Sequence, residues 1–296
     1  MATPIWTTSA DGSRIAAYDF GGHGDPLLLA HATGFHAHVW TPVVAHLLDR
    51  FHCYGFDERG HGASPTPASG DFSWRRFGDD AVAASAALGL HRPRAAGHSA
   101  GGALLLAAEQ DHPGSWAGMW LYEPVVFPPA AIDQPNPLSA STRRRKAWFE
   151  SRQAAYDNFA AQPPFDQFAP DALQAYLDFG FADDPSGGVT LACRPEDEAA
   201  TYDCAPRSGI WDRLGEITVP VHGIRGATSD HPPAGLLDRV AALIPRATTE
   251  TMAGLGHFGP LEDPRRVADS IATQAEPTKP DQADQADQAG LTTRDA

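Results

Sequence analysis

The residues best suited to nucleophilic chemistry lie in the segment 97–101 (GHSAG), which has the pattern GxSxG. An apolar run at 93–97 precedes Ser99 and a helical pattern follows it, so the serine is predicted to lie on a turn between a strand and a helix. Glycines at both ends of the motif let the strand and the helix approach closely. The start of the helix directs free backbone N–H groups toward an oxyanion. Ser99 is therefore the predicted nucleophile for acyl transfer, with the N–H of Ala100 as one oxyanion donor.

A serine hydroxyl is a weak nucleophile near neutral pH and needs an adjacent base. His257 is the candidate among thirteen histidines, because it lies between glycines in the segment 254–260 (GLGHFGP). This segment is predicted to form a loop after the last strand, and its glycines allow the loop to fold over the strand ends. The sequence thus predicts a Ser99–His257 pair.

These two residues need a scaffold, and the hydrophobic pattern indicates one in which strands and helices alternate. A hairpin is predicted at 5–8 and 14–20, and further strands are predicted at 27–30, 51–56, 93–97, 118–126, 219–224 and 247–252. The alternation predicts an α/β fold, with a mostly parallel twisted sheet covered by helices on both faces. Reactive groups in such folds gather at the carboxyl ends of the strands.

The alternation is interrupted at 127–216, where proline-rich breaks, charged helical stretches and aromatic residues occur without a clear strand. We therefore expect a helical lid inserted into a core domain formed by 1–126 and 217–275. The basic run 143–146 (RRRK) is predicted to be a solvated helix face, with steering of a carboxylate as the alternative. Residues 276–296 contain the repeat DQADQADQA and are predicted to be a disordered tail.

Composition excludes several classes of protein. The chain has 22 Lys and Arg against 37 Asp and Glu, a formal net charge of -15, which argues against a nucleic-acid partner. No segment has the ~20 apolar residues that cross a bilayer, and the N-terminus lacks the pattern of a signal peptide. Three cysteines without a CxxC pair indicate neither disulfides nor a metal site. We expect a cytoplasmic protein that acts on a small molecule without a cofactor, a metal or a membrane; the oligomeric state is left open.

Two further motifs make the core resemble the α/β-hydrolase family. Residues 31–35 (HATGF) follow a buried strand and are similar to the oxyanion segment of that family, and 57–64 (DERGHGAS) are similar to its DxRGHGxS loop. The segment around His257 also resembles the family's GHF motif. The resemblance implies the α/β-hydrolase fold, and it implies the backbone N–H of Thr33 as the second oxyanion donor.

The resemblance leaves two candidates for the acid that orients His257. Asp230 follows the predicted strand 219–224, resembles the family's acid position and gives the chain order Ser, Asp, His. Glu123 lies near the end of the strand before the insertion, where some members carry the acid instead. Asp230 is the favoured candidate and Glu123 the alternative.

With a triad of Ser99, His257 and Asp230, we expect a carboxylesterase-like hydrolase that cleaves an ester or a lactone of a small, fairly apolar substrate through an acyl-enzyme. Carbon–carbon bond hydrolysis and cofactor-free perhydrolysis or haloperoxidation use the same residues and remain alternatives. A ligand receptor that keeps the fold without turnover is the alternative from another class.

Overall fold

The computed structural model describes residues 2–132 and 136–274. These residues form eleven strands in two sheets. The strands are β1 Ile5–Thr8, β2 Arg14–Gly22, β3 Asp25–Ala30, β4 Phe51–Phe56, β5 Arg94–His98, β6 Gly118–Tyr122, β7 Trp148–Phe149, β8 Phe181–Asp183, β9 Val189–Leu191, β10 Val221–Gly226 and β11 Ala247–Met252. The tail predicted at 276–296 lies outside the described residues.

The main sheet has eight strands in the order β1-β2-β4-β3-β5-β6-β10-β11. Its first two pairings, β1 with β2 and β2 with β4, are antiparallel, and every pairing from β4 onward is parallel. The carboxyl ends of the parallel strands therefore share one edge of the sheet, where their loops meet. The predicted α/β-hydrolase fold is confirmed.

Helices cover both faces of the main sheet. The α-helices of the described residues are α1 Thr41–Val44, α2 Trp74–Ala87, α3 Ala100–Asp111, α4 Pro137–Thr142, α5 Arg152–Ala160, α6 Pro170–Phe179, α7 Pro195–Cys204, α8 Pro232–Ala241, α9 Gly259–Glu262 and α10 Pro264–Gln274. Along β3, Leu27 and Leu29 join one apolar cluster while Leu28 and Ala30 join the other. Since successive side chains of a strand point to opposite faces, this central strand is buried on both sides. None of the helices within the described ranges is long and apolar enough to span a membrane.

The insertion, residues 127–216, lies between β6 and β10. It was predicted to be helical, but it is not purely helical. It contains α4 to α7 and also a three-stranded antiparallel sheet in the order β7-β9-β8. These strands have only two or three residues each. Strands this short are below the length at which alternation of apolar residues becomes recognisable in a sequence.

Strand β6 ends earlier than predicted, at Tyr122 rather than at 126. The next residue, Glu123, has a φ of 43°, in the left-handed region where an L-residue cannot continue a strand. The chain therefore turns sharply at Glu123.

The start of helix α3 is packed tightly against the end of β3. A Cβ atom added at Gly101 would lie 2.3 Å from the carbonyl oxygen of Ala30 and 2.5 Å from that of His31. Because these are backbone atoms in the centre of the sheet, the clash cannot be relieved by turning a side chain. Glycine at this position thus allows the turn at Ser99 to approach the loop after β3.

We expect Gly101→Ala to lower the free energy of unfolding by about 1–3 kcal/mol or more, as overpacking in a core does. Gly235→Ala is the matched control, because it lies within α8 and its added Cβ would meet nothing within 4 Å. In a helix this change is expected to stabilise by about 0.5–1 kcal/mol. Urea denaturation of both variants provides the measurement, and equal effects would contradict the close approach at Gly101.

Candidate active site

Ser99 occupies the turn between β5 and α3 in a strained backbone conformation, with φ 55° and ψ -114°. For a residue other than glycine, such a conformation costs about 1–3 kcal/mol and persists only where the surroundings hold it. The Ser99 N–H donates to the carbonyl of Tyr122 at 2.9 Å, and the Ser99 carbonyl accepts from the N–H of Val125 at 3.1 Å. These bonds fix the turn against the segment that follows β6.

His257 lies in the loop between β11 and α9, and its Nε2 is 3.1 Å from the Ser99 Oγ. Two contacts hold the adjoining backbone: the Tyr122 hydroxyl donates to the carbonyl of Gly256 at 2.7 Å, and His98 Nε2 lies 2.8 Å from the carbonyl of His257. The structure thus brings together the two residues that the sequence pairs, although they are 158 positions apart.

The carboxylate that contacts His257 belongs to Glu123. Its Oε2 lies 2.6 Å from His257 Nδ1, and the Glu123 side chain is fully buried. Oε1 accepts from the N–H of Gly226 at 2.9 Å and Oε2 from the Ser229 hydroxyl at 2.8 Å. With Nδ1–H donating to this carboxylate, Nε2 is left free to accept the proton of Ser99.

Asp230, the favoured acid of the sequence analysis, does not contact His257, and this predicted placement is wrong. Its side chain is 96% exposed and lies 3.2 Å from His231 Nδ1. The reason is the path of the loop after β10, where the N–H groups of Ala227 and Thr228 donate to the carbonyls of Met252 and Leu255. This path brings Ser229 to Glu123, while Asp230 faces solvent.

The segments predicted to supply the oxyanion donors lie beside Ser99. Ala100 is the first residue of α3, so its N–H has no carbonyl partner within that helix. Thr33 is buried in the loop after β3 and lines the same cavity as Ser99 and His257. The close contact of Gly101 with Ala30 and His31 holds the two segments together. The N–H groups of Thr33 and Ala100 therefore stay the predicted oxyanion donors.

A second imidazole, which the sequence analysis did not identify, packs on His257. The rings of His231 and His257 are stacked, with centroids 4.5 Å apart and planes 12° apart. Burial lowers the pKa of His231, and the neighbouring His257 lowers it further. No sequence pattern indicates this contact, because it depends on how the loop before α8 crosses the loop after β11.

Ser99 and His257 open into a cavity of about 870 Å³. The core contributes residues of the loop after β3, among them Thr33 and Phe35, and more than half of the lining residues belong to the insertion. Most of the wall is apolar, but Arg145 and Glu198 of the insertion also line it. The site therefore combines a nucleophile, a base and an acid with a largely apolar chamber that has one charged pair.

A family model described as the alpha/beta hydrolase family matches residues 27–270. This match covers most of the chain, and the chain therefore belongs to the alpha/beta hydrolase family.

The chain is also similar to two named hydrolases, at low identity or over a short stretch. The chain is 25% identical to 2-(acetamidomethylene)succinate hydrolase of Mesorhizobium japonicum over 239 residues, which are 80% of this chain and 83% of that enzyme. It is 34% identical to (E)-2-((N-methylformamido)methylene)succinate hydrolase of Acinetobacter baylyi over 95 residues, but this stretch spans only 32% of this chain and 36% of that enzyme.

Among solved structures, that of an E-2-(acetamidomethylene)succinate hydrolase superposes with a TM-score of 0.80 at 21% identity. The superposition covers 92% of this chain and 98% of the other. At this level of identity the likeness establishes the fold and leaves the substrate open.

Proposed function

We propose that the protein is a serine hydrolase that cleaves an ester or a lactone through Ser99, His257 and Glu123. The observation that carries the proposal is the continuous chain of contacts from Ser99 Oγ to His257 Nε2 and from His257 Nδ1 to Glu123 Oε2. Each contact is within the 2.6–3.2 Å reach typical of a nucleophile, its base and the orienting acid.

In the proposed mechanism, the Ser99 oxygen attacks the substrate carbonyl carbon while His257 Nε2 takes the hydroxyl proton. The N–H groups of Thr33 and Ala100 donate to the resulting oxyanion, and Glu123 stabilises the imidazolium. His257 then passes the proton to the leaving alkoxide as the bond between carbon and the leaving oxygen breaks. Water, deprotonated by His257, attacks the acyl carbon. His257 then returns this proton to the Ser99 oxygen as the bond between that oxygen and the acyl carbon breaks, which releases the acid and restores the Ser99 hydroxyl.

The shape of the cavity supports a small, fairly apolar substrate. Its wall includes Phe35, Phe127 and Phe165 together with the polar groups of Ser99 and His257, and small-molecule sites generally combine apolar walls with a few polar groups. The insertion contributes Phe127 and Phe165, which supports its role as a lid that keeps water from the acyl-enzyme.

A second candidate is hydrolysis of a substituted succinate, the kind of substrate named for the two relatives. Such a substrate carries carboxylates, and Arg145 is the one Lys or Arg in the described part of the cavity wall. Glu198 already neutralises this arginine, so ester or lactone hydrolysis remains the proposal that we favour.

The test is reaction with a fluorophosphonate probe followed by mass mapping. We expect one covalent adduct at Ser99, because the probe reacts with a serine activated by a neighbouring base. Ser99→Ala protein is the control and is expected to remain unlabelled. A panel of chromogenic esters, a lactone, an aryl diketone and a substituted succinate then identifies the bond that is cleaved. A folded protein that neither labels nor hydrolyses any of these compounds would favour a ligand receptor.

A further inference from the structure

One charged pair stands out within the apolar cavity. Arg145 Nη1 donates to Glu198 Oε2 at 2.5 Å, and Nη2 lies 3.4 Å from the Tyr176 hydroxyl. The Arg145 side chain is 22% exposed and that of Glu198 is 6% exposed. Arg145 therefore differs from its neighbour Arg143, which forms an ion pair with Asp203 with both side chains nearly half exposed.

The pair lies beside the segment that holds the proposed oxyanion donor. An added Cβ atom at Gly34, the residue after Thr33, would be 2.7 Å from Glu198 Oε1. Glu198 thus reaches from helix α7 of the insertion to the loop after β3 of the core. Ser99 and both members of the pair line the same cavity.

The hydrogen-bonding capacity of the pair is not exhausted. A guanidinium has five N–H groups, and in the described part of the chain the Arg145 guanidinium has hydrogen bonds only with Glu198 and Tyr176. Both residues line the cavity, so a bound molecule can contact the pair.

The charge of the pair favours an uncharged partner. Burial raises the pKa of Glu198 above its usual range, although the Arg145 guanidinium, which favours the carboxylate, opposes this shift. The ionised pair is neutral, and a substrate carboxylate would add an uncompensated negative charge close to Glu198 in an apolar chamber. An uncharged group with a carbonyl oxygen and an adjacent N–H can instead accept from Arg145 and donate to Glu198.

We propose that Arg145 and Glu198 form a polar subsite that binds an uncharged group of the carboxamide type, located on the substrate away from the bond that is cleaved. The inference rests on the proposed ester hydrolysis at Ser99. It defines the substrate class as an apolar ester or lactone with one distal group that both accepts and donates a hydrogen bond.

The test compares esters that end in a methyl, a carboxamide or a carboxylate group over a range of chain lengths. One series varies the acyl chain and a second series varies the alcohol. We expect the wild-type protein to prefer the carboxamide over the methyl ester of equal length by roughly 10- to 100-fold in kcat/KM, the usual range for a hydrogen bond with a charged group. The carboxylate ester is expected to be the poorest substrate of the three.

Substitutions of Arg145 and Glu198 test whether this pair causes the preference for the carboxamide. Arg145→Met is expected to remove the preference for the carboxamide, while Arg143→Met, the matched surface control, leaves it unchanged. Glu198→Gln leaves Arg145 without a counter-charge, so the carboxylate ester is expected to improve by about tenfold or more relative to the methyl ester. If Arg145→Met fails to fold because Glu198 is then unpaired, the double variant with Glu198→Gln removes both charges and takes its place.

The outcomes separate this inference from the proposed function. Equal kcat/KM values for methyl and carboxamide esters in both series, or a preference that survives Arg145→Met, would overturn the subsite alone. A wild-type preference for the carboxylate would also overturn it and would favour a substituted succinate. Failure of the hydrolase proposal has a different signature, because the methyl esters would then not be hydrolysed and Ser99 would not be labelled.

Discussion

Ser99→Ala is expected to reduce kcat for ester hydrolysis by roughly 10⁵- to 10⁶-fold, because the variant has no oxygen that can form the acyl-enzyme. The remaining rate reflects the oxyanion donors and substrate binding alone. Hydrolysis of a chromogenic ester, with purified variant at high concentration, provides the measurement.

Ser115→Ala is the matched control for this loss. Ser115 lies in the turn after α3, where its hydroxyl donates to the carbonyl of His112 at an exposed position. Its replacement is expected to leave kcat unchanged. Retention of more than about a hundredth of the wild-type kcat in Ser99→Ala would mean that another group attacks the substrate.

Glu123→Gln is expected to reduce kcat by roughly 10³- to 10⁴-fold. The amide keeps the size of the side chain and an oxygen for the N–H of Gly226, but it cannot stabilise the imidazolium of His257. An amide NH₂ that faces Nδ1 also favours the tautomer with the proton on Nε2, which cannot accept the proton of Ser99. Steady-state kinetics with one ester, accompanied by circular dichroism to verify folding, measures the effect.

Asp230→Asn provides the comparison, because it makes the same chemical change at the other acid considered. Asp230 is exposed and contacts only His231 among the interactions found in the described residues. Its replacement is expected to change kcat by no more than a few-fold. A large loss in Asp230→Asn together with a small one in Glu123→Gln would show that the loop after β10 rearranges when substrate binds.

Most of the scaffold and the Ser99–His257 pair could be predicted because local sequence determines them. Strand β4, at Phe51–Phe56, coincides with the predicted range, since a strand buried on both faces is a short continuous apolar run. The turn at Ser99 is indicated by its glycines, because at Gly101 any larger residue would clash with the carbonyl of Ala30.

The acid could not be decided from local sequence because it depends on which carboxylate the loops direct inward. Asp230 and Glu123 both follow strands near His257. The positive φ of Glu123 and the N–H of Gly226 bring one carboxylate into the site, whereas the bonds of Ala227 and Thr228 leave the other in solvent. In the structure β6 lies between β5 and β10, so a carboxylate directly at its end is close to both neighbouring strand ends, but local sequence does not give this order of strands.

The surroundings of the charged residues in the insertion also could not be predicted from local sequence. The basic run 143–146 was predicted to be a solvated helix face, but α4 ends at Thr142 and Arg145 lines the cavity. Its partner Glu198 is 53 positions away. A pattern of charges along the chain carries no information about an ion pair at such a separation, because the pair forms only when distant parts of the insertion fold together.

The residues proposed for catalysis and the residues proposed for substrate binding come from different parts of the chain. Ser99, Glu123 and His257 follow strands β5, β6 and β11, whereas Arg145 and Glu198 belong to the stretch between β6 and β10. With the proposed catalytic groups and subsite, mutations in that stretch are expected to change substrate preference while the catalytic groups stay in place. Proteins that descend from one ancestral gene can therefore differ in their substrates while they keep the same reaction.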